Sequence, residues 1–117
     1  GEDLMKGVIS YEIVRLMKEG LSPQKACEKA VSDLAERLKR TRGEAGDISV
    51  VAMNAKGDFG AASNIENFSF VVATSTLAPT VFRVHPQSDG TMRHELATKE
   101  WLEAYLEERM KPLEVKE

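Results

Sequence analysis

Residues 54 to 64 read NAKGDFGAASN, and four of these eleven positions are Gly57, Gly60, Ala61 and Ala62. The stretch lies between two segments of strand character, DISVVAM (47–53) and NFSFVVAT (67–74). Gly and Ala are poor strand formers, so their use here asks for a compensating contact. A turn over Asn54 to Gly57, with Gly57 at positive φ, makes the segment a β-hairpin. Gly60, Ala61 and Ala62 then keep the returning strand thin, so that backbone or another layer can approach it. Gly57 and Gly60 also suggest a phosphate cradle, but such loops open a helix and this one enters a strand.

Working outward, both flanking strands are apolar on two faces. Ile48, Val50 and Ala52 alternate with Ser49, Val51 and Met53, and Phe68, Phe70 and Val72 with Ser69, Val71 and Ala73. With FGAAS (59–63) between them, the simplest arrangement is a three-stranded antiparallel meander covered on both sides. Upstream, apolar residues from Leu4 to Met17 recur at helical spacing, with Gly20 as the stop. A second helix starts at Ser22-Pro23 and carries the stripe Cys27, Ala30, Val31, Leu34, Ala35 and Leu38 up to Gly43. Two helices cover at most one side of the sheet. Downstream, STLAPT and HPQSDG read as turns around one edge strand, VFRV (81–84), and Thr98 caps a last helix bearing Trp101 and Tyr105. The expected class is α+β: two helices, an antiparallel meander and a C-terminal helix.

Composition narrows the classes of function. The 117 residues have the length of one domain, the net charge is −3, and Cys27 is the single cysteine. A mildly acidic chain offers no electrostatic reason to bind nucleic acid or an anionic membrane. No apolar run spans a bilayer, the start GEDLMKG lacks signal-peptide layout, and no internal disulfide is possible. A cytoplasmic location is expected.

Candidate chemistry is sparse. Cys27 with His85 or His94 suggests a thiolate pair, yet Cys27 lies on an apolar helix stripe, where a thiol acts as a small hydrophobe. His85, Asp89 and His94 hold metal-ligand chemistry at a spacing that matches no compact site. Arg37, Lys39, Arg40 and Arg42 suit the negative end of a helix dipole better than a phosphate. Trp101 and Tyr105 are expected in the core rather than on a partner surface. Glu2, Asp3 and Glu12 are carboxylates without acid–base spacing.

Three stretches together resemble one family. GEDLMKGVISYEIVRLMKEG, LSPQKACEKAV and NAKGDFGAASN followed by NFSFVV are similar, in order and spacing, to segments of the glycosylasparaginase and isoaspartyl peptidase (type 2 asparaginase) amidohydrolases. The resemblance covers residues 1 to about 73. It implies an αββα sandwich, a precursor that cleaves itself, and a threonine so exposed that attacks an asparagine side-chain amide with its own α-amino group as base. It implies no organic cofactor.

Position by position, the resemblance carries no catalytic residue. Gly1, Glu2 and Asp3 match the end of the family's substrate-binding turn and would line its rim at most. Residues 1–74 are expected to be the C-terminal portion of the hydrolase domain, and 75–117 an extension. The expected function is that of a C-terminal fragment or subunit, inactive without the nucleophilic Thr and completed by the missing N-terminal portion or a second copy. The alternative is a non-catalytic α+β interaction domain.

Overall fold

The computed structural model describes residues 2–110, with side chains from residue 8 onward. The elements run α1 (Glu2–Lys18), α2 (Pro23–Arg42), β1 (Ser49–Met53), β2 (Phe59–Ser63), β3 (Phe68–Val72), β4 (Thr80–Pro86), β5 (Met92–Leu96) and α3 (Lys99–Arg109). At the start of α2, Ser22 Oγ accepts the Lys25 N–H at 3.2 Å, and Pro23 occupies the first turn. Gly43 closes the helix, its N–H reaching Lys39 O at 3.0 Å. Along α1, Ile9, Ile13 and Leu16 are buried against Ala26, Cys27, Ala30 and Val31 of α2. That spacing of three to four residues is the expected helical stripe.

β1 and β2 form the expected hairpin, with Val51 opposite Ala61 and Ala52 opposite Gly60. Gly57 takes φ 90°, while Asn54 Oδ1 accepts the N–H groups of Lys56 and Asp58, each at 3.0 Å. The side-chain amide thereby does what backbone alone would leave undone in so tight a turn.

β3 does not extend this hairpin. It pairs with β4, and β4 with β5, so the antiparallel meander is β3-β4-β5 and lies in a second sheet. The expectation of β3 beside β2, and of a loop with one edge strand after Thr74, is thus corrected. β4 is the central strand, and the HPQSDG turn leads into β5. The reason is packing: Phe68, Phe70 and Val72 sit on the same face as Phe82 and Val84, and that face closes over Ala61. Burial of Phe70, Val72 and Val84 in this face stabilises the arrangement by roughly 1.5–3 kcal/mol per large side chain.

Three layers result: the helices, the two-stranded sheet and the three-stranded sheet. Ala62 joins the helix-side core, whereas Ala61 joins Phe70, Val72 and Val84 on the other side. Phe70 stacks on Phe82 at 5.3 Å between centroids, and Phe59 of β2 lies 5.5 Å from Phe82. α3 lies on the outer face of the second sheet and buries no residue. The chain is therefore an α+β protein with its antiparallel strands in two sheets.

Candidate functional site

Two polar constellations stand out, one between the layers and one on the outer sheet face. The first is built around Gly60. A Cβ at this position would lie 2.3 Å from both Cα and N of Gln24 and 2.6 Å from the Pro23 carbonyl carbon. Only glycine allows the N-terminus of α2 to touch β2 backbone to backbone, as the thin returning strand suggested. That approach lets the Gln24 side chain act as a short strand. Its Oε1 accepts the Ala61 N–H at 2.8 Å, and its Nε2 donates to Ala61 O at 2.9 Å.

The same junction takes in β5. Glu28 Oε2 accepts from Gln24 Nε2 at 3.0 Å and from the Met92 N–H at 2.7 Å. His94 Nε2 lies 3.2 Å from Ala61 O, and its ring meets Phe70 edge-on at 5.3 Å. Both polar atoms of the Gln24 side chain, Glu28 Oε2 and the Ala61 N–H and C=O are paired in this half-buried clasp, which lets a buried network hold layers together. Gln24 and Glu28 were not singled out from sequence. Their i, i+4 spacing at the start of α2, on the side of Val31 and Ala35 in the stripe, was the available signal.

The second constellation lies on the opposite face of β3-β4-β5. His85 is buried between two carboxylates, with Nδ1 on Glu66 and Nε2 2.8 Å from Glu95 Oε2. Only the doubly protonated ring donates to both. Arg83 pairs with Glu95 at 2.9 Å, donates to Asn67 Oδ1 at 3.1 Å, and keeps a buried Nε without a partner. The His85 hydrogen bond, and then the Arg83 charge, hold the Glu95 carboxyl below the usual range. Trp101 stacks over the Arg83 guanidinium at 5.1 Å, Tyr105 over Trp101 at 5.2 Å, and Arg109 over Tyr105 at 5.1 Å. Arg83 and Glu95 were also missed, although the alternation in VFRVH and MRHEL marks them as residues of one sheet face.

The residues singled out from sequence are dispersed. Cys27 is fully buried, and burial pushes its thiol up to about 11, far from a reactive thiolate. His85 and His94 face opposite sides of one sheet, and Asp89 caps its own turn by accepting from Thr91 N and Oγ1. Among the described residues no cluster of three or more His, Cys, Asp and Glu side chains is placed to hold a metal ion. Arg37, Lys39, Arg40 and Arg42 project into solvent, and Glu12 is held by Arg15. Trp101 and Tyr105 are not core residues. The sheet face beneath them is lined by Arg83, His85, Arg93 and Glu95, so Trp101 stacks on a guanidinium where core packing was expected. Gly1 lies outside the described residues, and Glu2 and Asp3 open α1. No described helix is long and apolar enough to cross a membrane.

Both constellations are suited to holding elements in place. Neither combines a nucleophile, a base and an open cavity. The chain belongs to the asparaginase family, whose model, described as Asparaginase, matches residues 1–82. Among curated proteins, the N(4)-(Beta-N-acetylglucosaminyl)-L-asparaginase of Elizabethkingia miricola is 35% identical over 74 residues, covering 62% of this chain and 22% of that protein. The chain thus spans about a fifth of the length of that relative. No solved structure matches.

Proposed function

We propose that this chain is the C-terminal portion of an asparaginase-type amidohydrolase that cleaves asparagine side-chain amides, and that alone it is inactive. The observation that carries this reading is the family match over residues 1–82, which runs through the Gly60 hairpin and its clasp to α2. In the complete enzyme, self-cleavage exposes a threonine whose hydroxyl attacks the amide carbonyl while its α-amino group takes the proton. The present residues contribute the helix layer and hairpin that shape the scaffold, with Glu2 and Asp3 at the rim of the binding turn. The rest of the enzyme is the partner, and a cytoplasmic location goes with this reading.

The test is release of aspartate from N4-(β-N-acetylglucosaminyl)-L-asparagine. We expect none from the purified chain. Activity is expected when the chain is co-expressed with the portion of the Elizabethkingia miricola relative that precedes its matched segment. Turnover by the chain alone sinks the claim of inactivity, and an assembled but inert pair sinks the claim of function. The non-catalytic interaction domain is then the surviving reading.

A further inference from the structure

Two basic residues of β4, Arg83 and His85, stand two positions apart on the outer face of the second sheet. Glu95 of β5 lies opposite Arg83 and divides its carboxylate between them. Its Oε1 accepts from Arg83 Nη2 at 2.9 Å, and its Oε2 lies 2.8 Å from His85 Nε2. The other end of each basic group reaches the connection between the two sheets. His85 Nδ1 meets Glu66, and Arg83 Nη1 donates to Asn67 Oδ1 at 3.1 Å. Glu66 and Asn67 are consecutive residues, so Glu66, His85, Glu95, Arg83 and Asn67 close a ring.

The ring joins the segment matched to the family, which holds Glu66 and Asn67, to the residues beyond it, which supply Arg83, His85 and Glu95. On the family side the connection is pinned. Asn64 Oδ1 accepts the Ile48 N–H at 2.8 Å, Asn64 Nδ2 donates to Gly46 O at 2.6 Å, and Ser63 Oγ accepts the Ile65 N–H at 3.0 Å. Asn67 takes φ 65°, the one positive value at a non-glycine among the described residues, in a region that Asn enters more easily than most. On the outer side the ring meets α3. Trp101 lies over the Arg83 guanidinium at 5.1 Å, and α3 buries no residue. An arginine side chain left to itself samples many rotamers, so a stack on its plane requires that plane to be fixed. Asn67 and Glu95 fix it from the two terminal nitrogens.

We propose that this ring is a conformational latch that couples the connection between the two sheets to the docking of α3, so that loosening either end loosens the other. It stands independently of the hydrolytic activity. Because the connection is pinned to the first sheet, α3 is the element that moves. Docked and released α3 are the two states, and the ring favours the docked one through the orientation of Arg83.

The full chain tests it, with Trp101 emission in urea reporting release of α3 and far-ultraviolet circular dichroism reporting global unfolding. Glu66→Ala removes a side chain that is 60% exposed and whose ion pair is with His85 rather than with α3. Its loss is expected to reduce the docking equilibrium at least about fivefold, so that Trp101 emission changes at lower urea while the circular dichroism transition stays where it was. Glu66→Gln keeps an acceptor for His85 and should fall between the native chain and Glu66→Ala. Glu36→Ala, which removes an exposed carboxylate of α2, should move neither transition.

Coupling is reciprocal, so Trp101→Ala is expected to speed amide exchange at Ile65 and Asn67, whose N–H groups bind Ser63 Oγ and Val84 O, by a factor of similar size. An unchanged Trp101 transition in Glu66→Ala, or unchanged exchange at those two amides in Trp101→Ala, overturns the proposal. So does a Glu66→Ala chain in which both urea transitions fall together, because that marks a loss of global stability alone.

Discussion

Gly60 shows how one missing side chain carries an architecture. The contact it permits is between backbones, and backbone cannot rotate out of the way as a long side chain can. Gly60→Ala must therefore separate α2 from β2, and the separation also breaks the two hydrogen bonds of Gln24 to Ala61. Overpacking of this kind costs about 1–3 kcal/mol, and each buried polar group left without its partner about 1–3 kcal/mol more. The expected outcome is a loss of at least about 2 kcal/mol in urea unfolding. Gln24→Ala leaves the close approach intact and should fall in the lower half of that range. The need for a thin strand was legible in GAAS; that Gln24 would be the neighbour was not, because 37 positions separate it from Ala61.

Among the elements, α3 is held least firmly. It buries no residue, and its attachment runs through Trp101 stacked on Arg83, whose guanidinium is oriented by Glu95 and Asn67. Because the chain has one tryptophan, its fluorescence reports this attachment alone. Undocking of α3 is expected at lower urea than the loss of far-ultraviolet circular dichroism. The attachment also depends on pH. His85 and Arg83 depress the folded-state ionisation of Glu95 below its ordinary value of 4.5, so its contribution is present above that value. It is lost as pH falls through the lowered folded value. Tryptophan emission should therefore shift below about pH 4.5 in the native chain. In Glu95→Gln the same shift should be absent, with emission near the undocked value throughout.

The whole molecule includes more than the segment that matches the family. The match ends at residue 82, inside β4, yet Val84 is fully buried and Met92 packs against both cores. Truncation after residue 82 removes the rest of β4 and all of β5, and exposes Phe70 and Ala61. We expect that shortened chain to lose cooperative unfolding and to bind a hydrophobic dye such as ANS. Truncation after Ala97 removes only α3 with its cap and the C-terminal residues beyond it, and cooperativity should survive. Equal behaviour of the two truncations would contradict the assignment of β4 and β5 to the core.

Local chemistry settled much from sequence alone: the cap and stripe of α2, the Gly57 turn and the thin β2 strand, whereas the second apolar face expected on each flanking strand leaves Val51, Met53 and Val71 exposed. These arise from spacing within a few residues, where φ restrictions and side-chain period act directly. The three family segments were legible for the same reason. Tertiary structure alone decided that β3 leaves the hairpin for a second sheet and that the HPQSDG turn feeds a core strand. It also decided that Trp101 meets a guanidinium. Each of these depends on which apolar face finds another across dozens of residues, a choice made by burial and close packing that no local period encodes.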